Sequence, residues 1–414
     1  MRRNLAFTWL VFLVLPALSF IVAVRNYSLP HYKVLVLGFL MLYGFTFIPI
    51  PDADGTRYIE EFNTYSSYSF DDFSEILTNK YTSSEDDPDI YSTILLYLST
   101  RISRNYHIFF LLAALIYFAV ALKLWETLWS SGGVKSQNWH TVFFIGTLFI
   151  LNISAGVNGI RYPLGLMVFS LAALKFIMKP RVKYLLLGCL SVLVHFSLLF
   201  PLIFLLLFSV LQRIKTTKIV MLSLLFALLT ASVISQFVSS NTSIFGAAYQ
   251  VKLEGFTGED YLASRTSHIS GWNWYVQINL FATTYFLIIA LILIQFKRFR
   301  LSIDETSNRL LMFSIVILIQ CIISGNILDP ITNSRYYLIM NLFGLATLFY
   351  IGARNQPGNL IKTLAYAYMP ILLLRVLIIL RNDLHTVSPP LVFGNILSIL
   401  FVETDTSVYD MLFN

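Results

Sequence analysis

Charge is scarce in this chain. Of its 414 residues only 12% are Asp, Glu, Lys or Arg, while 57% are hydrophobic. A soluble protein of this length has room for a large core, but it cannot hide helices that are apolar on every side. Cysteine is scarcer still. Cys189 and Cys321 are the only two; both lie in apolar runs, read as small core residues, and say nothing of redox compartment. There is no Cys/His cluster at zinc spacing, no glycine-rich phosphate loop and no serine nucleophile elbow. Internal repeats, low-complexity tracts and the inverted symmetry of transporters are also missing. The net charge of +7 is no nucleic-acid signal, because the basic residues cluster in short loops between apolar runs, as cytoplasmic anchors do.

Abundant instead are apolar runs of about twenty residues, the length that crosses a bilayer as a helix. The candidate spans are Ala6–Val24, Lys33–Ile50, His107–Trp125, His140–Ala155, Arg161–Met178, Val182–Val210, Lys218–Val238, Trp274–Phe296, Arg309–Leu328, Arg335–Ala353 and Ile361–Leu380. The expected fold is all-α: a polytopic transmembrane bundle of about 11–13 helices. It forms one integral membrane domain over residues 1–414. The first run follows an Arg pair but no small-residue cleavage site follows it, so it reads as a retained helix.

Sidedness turns on Val182–Val210. At about 1.5 Å per residue it is long for one crossing and short for two full ones. Lys179, Arg181 and Lys183 precede it, and Arg213, Lys215 and Lys218 follow. Both flanks favour the cytoplasm, so the run is expected to reverse, as two short helices or a re-entrant hairpin turning near His195-Phe196-Ser197 or Pro201. The same arrangement puts Arg25, Lys33, Lys123 and Lys135 inside and leaves Arg2, Arg3 and Arg161 outside. Residues 51–106, 239–273 and the tail from 381 then lie on the outer, periplasmic side.

The first of these outer loops is acidic. Half of the chain's 22 acids fall between Asp52 and Asp89. Asp54–Tyr65 reads as a short helix capped by Asp52 or Asp54. Ile90–Ser99 is too short to span and reads as interfacial. The remaining acids of the loop read as a solvated face.

Five outer elements carry titratable residues close to membrane depth. They are Asp52-Ala53-Asp54-Gly55-Thr56-Arg57-Tyr58, Gly159-Ile160-Arg161-Tyr162-Pro163, Val194-His195-Phe196-Ser197, the stretch Asp329 to Tyr337 containing Arg335, and Arg265 to His268. Each has a plain alternative: snorkelling for Arg161 and Arg335, a satisfied core imidazole for His195, helix caps for Asp52 and Asp54, a turn for Asp329. Asp52-Ala53-Asp54 also has the form of a metal–nucleotide triplet, but no nucleotide-binding fold surrounds it. Together the set suits one chemistry. Arginines on one face bind phosphate or pyrophosphate bidentately, and a nearby His or carboxylate can accept a proton from an attacking hydroxyl. His195 is the first choice of base, with Asp54 or Asp52 as its rival. Arg161, Arg335, Arg57, Tyr58, Arg265 and Asp329 are the candidates for holding pyrophosphate and sugar.

At these residues the chain resembles the EpsG-like, Wzy-type family of O-antigen and exopolysaccharide polymerases. The resemblance rests on Asp54-Gly55-Thr56-Arg57-Tyr58 with Phe62 after the second span and on Asn158-Gly159-Ile160-Arg161 opening a helix. It also rests on His195-Phe196-Ser197 in a broken apolar hairpin and on Ser334-Arg335-Tyr336 opening a late helix. Many relatives carry an Arg just before the Gly/Asp stretch; this chain has Pro49-Ile50-Pro51 there, with Arg57 later. The resemblance implies a bacterial inner-membrane glycosyltransferase that joins undecaprenyl-pyrophosphate-linked oligosaccharide repeats at the periplasmic face. It implies no metal, nucleotide or other cofactor, with a flippase and a chain-length regulator as functional neighbours. The rival readings are another lipid-linked-sugar glycosyltransferase, a glycan O-acyltransferase, and, third, a lipid-oligosaccharide flippase.

Overall fold

The computed structural model describes residues 2–51, 53–82, 89–131, 155–211, 274–297, 303–324, 330–354, 359–402 and 405–413. The expected span Lys218–Val238 and all but the last residue of His140–Ala155 lie outside these. So do the candidates Asp52, Arg265 and Asp329. Among the described residues the fold is all-helical.

The chain opens with α1 (Arg2–Val14), α2 (Pro16–Arg25) and α3 (Pro30–Phe45). The expected first crossing, Ala6–Val24, is not one straight helix. Pro16 has no N–H to donate and its ring clashes with the preceding turn, so the helix ends at Val14 and restarts with Pro16 in its first turn. The bend is sharp enough for the Ser19 hydroxyl to reach the Thr8 carbonyl at 3.4 Å.

Within residues 51–106, expected to hold a short helix at Asp54–Tyr65, an interfacial run at Ile90–Ser99 and otherwise solvated acids, the described residues form a helical cap. It comprises α4 (Asp54–Tyr65), α5 (Phe70–Thr82) and α6 (Ile90–Ile102). On α4, Gly55, Tyr58 and Phe62 are buried along one stripe, while Asp54, Arg57 and Glu61 face outward. Of the two expected caps, Asp52 lies outside the described residues and Asp54 does not act as one. Ala53 is the N-cap, without a side-chain bond, and Asp54 is the first helical residue. The Arg101 guanidinium ties the end of α6 to the α4–α5 turn through the carbonyls of Tyr65 (3.0 Å) and Tyr68 (2.9 Å). Phe73 stacks on Tyr97 with ring centroids 4.0 Å apart. Aromatic area and satisfied carbonyls hold this cap together, which its acidic composition alone does not suggest, and Tyr58 meets Phe109 of the following helix at 5.6 Å.

The bundle itself consists of α7 (His107–Ser131), α8 (Ala155–Asn158), α9 (Arg161–Met178), α10 (Val182–Val194), a 3₁₀ turn (Phe196–Leu198), α11 (Leu199–Leu211), α12 (Trp274–Lys297), α13 (Glu305–Ser324), α14 (Pro330–Arg354) and α15 (Asn359–Leu384). Helices α7, α9, α13, α14 and α15 each contain a run long and apolar enough to cross a membrane. In α14 and α9, 83% and 72% of that run is buried, against 22% in α15. The centre of the bundle is therefore α9 and α14, and α15 is its flank.

The Val182–Val210 run does reverse. A Cβ on Gly188 of α10 would lie 3.1 Å from Leu202 and 3.9 Å from Leu205 of α11. Collinear helices would hold these positions roughly 20 Å apart at about 1.5 Å per residue. Each arm has 13 residues, about 20 Å of helix against a hydrocarbon thickness of about 30 Å. The apex is His195, in extended backbone (φ −153°, ψ 118°).

Short helices α16 (Pro389–Phe393), α17 (Ile396–Phe401) and α18 (Val408–Phe413) fold the tail back. Ile48, just beyond α3, donates its N–H to the Thr386 carbonyl at 3.0 Å, and Tyr43 meets the Thr386 hydroxyl at 3.2 Å. The end of α3, the cap and the end of α15 thus share one end of the bundle. The opposite end carries ion pairs: Lys33 with Glu126 at 2.8 Å, and Arg354 with Asp304.

Candidate functional site

The site is built at the start of α9. Ahead of it, Asn158 accepts a hydrogen bond from the Gly55 backbone N–H of α4 at 3.2 Å. Gly156 lies so close to α7 that a Cβ would fall 2.0 Å from the Tyr117 ring. Only glycine permits that approach. The chain then turns at Ile160, which has φ 32° and ψ −58°, and Arg161 N–H closes a tight turn onto the Gly159 carbonyl at 2.5 Å. Left-handed backbone at a β-branched residue costs roughly 1–3 kcal/mol and persists only where its surroundings enforce it. Here Ile160 is fully buried, and the strained turn points the Arg161 side chain into the protein.

Arg161 does not snorkel to the surface. Its side chain is 15% exposed and its Nη1 meets Asp89 Oδ2 at 3.3 Å. Asp89 corrects the reading of the acidic loop as a solvated face. It is 1% exposed, and its other oxygen, Oδ1, accepts the Phe196 backbone N–H at 3.0 Å. It stands at the N-cap of α6 yet makes no side-chain cap there. An aspartate in that position ordinarily satisfies its own helix. This one is turned across the protein to the hairpin apex. Burial of the carboxylate is tolerable because a guanidinium and a backbone N–H face it.

His195 forms the apex of that hairpin. Its Nδ1 accepts the Ser197 backbone N–H at 3.2 Å and lies 2.9 Å from the Ser197 hydroxyl. An Nδ1 that accepts carries no proton, so the neutral ring holds its proton on Nε2. Nε2 faces Asp89 Oδ2 at 3.9 Å. The apex can lie against α9 because Gly165 leaves room: a Cβ there would be 2.5 Å from Leu198 and 3.3 Å from the Ser191 carbonyl.

Arg335, on α14, joins through Tyr162. The Tyr162 hydroxyl donates to the Arg335 carbonyl, the Arg335 guanidinium lies 5.3 Å from the Tyr162 ring centre, and the same ring meets His195 edge-on at 5.4 Å. One residue on, Tyr336 donates its hydroxyl to the Ser197 carbonyl at 3.1 Å. Arg161, Asp89, His195 and Arg335 thus stand in one connected group drawn from α6, α9, the hairpin and α14. Among the described residues, no three His, Cys, Asp or Glu side chains converge as a metal site requires. A family model described as the EpsG family matches residues 29–389.

The chain belongs to the EpsG family. No curated protein and no solved structure matches it. Membership makes it a membrane protein of the polysaccharide-polymerase type, and the matched stretch contains all four residues of the group.

The remaining candidates of this EpsG-family protein fall into two classes. Arg57 is half-exposed and already paired, with Asp54 at 3.2 Å and Glu61 at 3.3 Å, so both Arg57 and Asp54 stand on the rim of α4. Tyr58, on its inner face, is 1% exposed. Its hydroxyl lies within reach of the Arg161 charge but has no well-formed hydrogen-bond partner among the described residues. Burial pushes the Tyr58 pKa above its ordinary value of 10.0, and the Arg161 charge opposes the shift. Tyr91, on α6, was not singled out in the sequence. Its hydroxyl is likewise buried without a partner among the described residues, and burial and Tyr58 raise its pKa. Both phenols therefore remain protonated, and the Tyr58 hydroxyl presents an unused donor beside Arg161. Removing an orphaned buried hydroxyl relieves a desolvation penalty of about 1–3 kcal/mol. Tyr58→Phe is expected to unfold no more readily than wild type in detergent. A melting temperature lowered by a few degrees in a thermal-shift assay would show that the hydroxyl is engaged after all.

Proposed function

We propose that this EpsG-family protein polymerises oligosaccharide repeats carried on undecaprenyl pyrophosphate, at the outer face of a bacterial inner membrane. The observation that carries the reading is the buried Arg161–Asp89 pair at one end of a membrane bundle, with Arg335 joined to the same group through Tyr162. Two guanidiniums suit the oxygens of a pyrophosphate, and a lipid carries that group at headgroup depth. The acceptor's sugar hydroxyl attacks the anomeric carbon of the growing chain. A new C–O bond forms, the bond from that carbon to the pyrophosphate breaks, its electron pair leaves on the lipid pyrophosphate, and the hydroxyl proton passes to a protein base. The arginines stabilise the charge that accumulates on the departing group. The excess of Lys33, Lys123, Lys179, Arg181, Lys183 and Lys362 toward the opposite end supports an outward-facing site by the positive-inside tendency. A flippase supplying the repeats and a regulator of chain length fit as partners.

Proteoliposomes holding the purified protein test this directly. Supplied with lipid-linked repeats extracted from a strain that lacks the gene, they are expected to yield a ladder of longer glycans and one lipid pyrophosphate per bond formed. Glycans that stay one repeat long would sink the reading.

A further inference from the structure

The site contains two groups able to take the proton, and their geometry separates them. We propose that Asp89 is the proton acceptor of the transfer and that His195 is a positioning residue; this rests on the polymerase reading above. The single lone pair of a neutral His195 ring is on Nδ1, and Ser197 N–H already occupies it. The other nitrogen bears a proton, so as placed the ring donates and does not accept. Protonating Nδ1 would set N–H against N–H and open the turn at the hairpin apex.

Asp89 has the opposite character. Oδ1 is held by Phe196 N–H at 3.0 Å, which fixes the carboxylate. Oδ2 faces Arg161 Nη1 at 3.3 Å and His195 Nε2 at 3.9 Å. The Arg161 contact is long for a charge-assisted bond, which runs about 2.7–2.9 Å. A pyrophosphate that draws the guanidinium toward its own oxygens loosens this hold. The added negative charge then makes Oδ2 a stronger proton acceptor. Substrate binding thereby arms the base. In the step, the acceptor hydroxyl oxygen bonds to the anomeric carbon, the carbon–pyrophosphate bond breaks onto the leaving lipid, and the hydroxyl proton moves to Oδ2. His195, whose Nδ1 holds the Ser197 N–H, fixes the turn that presents the Phe196 N–H to Oδ1, and water later removes the proton.

Asp89→Asn, Asp89→Glu and His195→Asn in proteoliposomes decide it. The amide of Asp89→Asn still offers an oxygen to Phe196 N–H, and that of His195→Asn one to Ser197 N–H. Asp89→Asn is expected to slow extension on the order of 10²–10⁴-fold, the usual weight of a general base, and to lose the acid limb of the pH–rate profile. Its affinity for undecaprenyl pyrophosphate should stay within about threefold of wild type, less than half a decade in binding constant. His195→Asn is expected to keep the acid limb and to lose at least about tenfold less rate than Asp89→Asn. Asp89→Glu should restore part of the rate. Extension by Asp89→Asn equal to wild type would overturn the assignment. So would rate and pyrophosphate affinity falling together, which marks a scaffold role. Wild-type vesicles that extend nothing would instead overturn the polymerase reading, and this inference with it.

Discussion

Arg161→Ala is expected to lower extension on the order of 10²–10³-fold, the scale of losing one donor to developing negative charge. It should also destabilise the protein. Asp89 is 1% exposed and Arg161 supplies its countercharge. Removing one partner of a buried pair leaves an uncompensated charge, which costs about 3–5 kcal/mol. A deficit in yield therefore does not by itself separate a catalytic role from a structural one. A neutral pair does. Arg161→Gln combined with Asp89→Asn removes both charges, and the double variant is expected to unfold at a higher temperature than Arg161→Ala while remaining inactive. Coupling between contacting groups of this kind runs to about 0.5–3 kcal/mol. A double variant no more stable than the single one would show that the two side chains do not share charge. An Arg161→Ala protein that still makes full-length glycan would take Arg161 out of the chemistry.

Local pattern was enough for much of this architecture. The basic flanks of Val182–Val210 imply an even number of crossings, and the apex at His195 falls where an imidazole interrupts an apolar run. The helix Asp54–Tyr65 is legible from its start signal, although Ala53 and not Asp54 is the N-cap. Arg161 stands out because charge beside hydrocarbon is expensive. Asp89 does not stand out. It closes the run Glu85-Asp86-Asp87-Pro88-Asp89, whose composition says solvent. What buries it is pairing with Arg161 and the hairpin apex, 72 and 107 residues away along the chain. No periodicity carries contacts of that range. The one local sign is that Asp89 immediately precedes an apolar helix, a position that also fits an ordinary cap.

Arg57 shows the converse. Its neighbours at i−3 and i+4 are Asp54 and Glu61, a spacing that on a helix satisfies the charge on its own face. Read by spacing, Arg57 is a surface residue. Arg375 shows how an apolar run can conceal a polar contact. It lies inside α15, is 5% exposed, and donates to the Thr283 hydroxyl of α12 at 2.5 Å, with Tyr368 on the same hydroxyl at 3.1 Å. Mean hydropathy averages such a residue away. Its neighbours become visible only once α12 and α15 are seen side by side.

Arg335 differs from Arg161 in what surrounds it, and its substitution should separate function from stability more cleanly. Its guanidinium lies 5.3 Å from the Tyr162 ring centre, and among the described residues no carboxylate pairs with it. Its backbone carbonyl, which anchors Tyr162, survives any side-chain change. Among the described residues Arg335→Ala therefore strands no buried charge, and the loss there is one cation–π contact of about 0.5–1 kcal/mol. Its melting temperature should stay within a few degrees of wild type. Extension is nevertheless expected to fall about 10²-fold, with most of the loss in lipid-pyrophosphate affinity, because two charge-assisted bonds of about 1.5 kcal/mol or more disappear. Arg335→Lys keeps the charge but not the planar fork, and should recover about a tenth of the wild-type rate. Isothermal calorimetry with undecaprenyl pyrophosphate, set beside the extension assay, reads both quantities. Full activity in Arg335→Ala would leave Arg161 as the sole phosphate-facing arginine of the connected group, too little charge for a pyrophosphate leaving group.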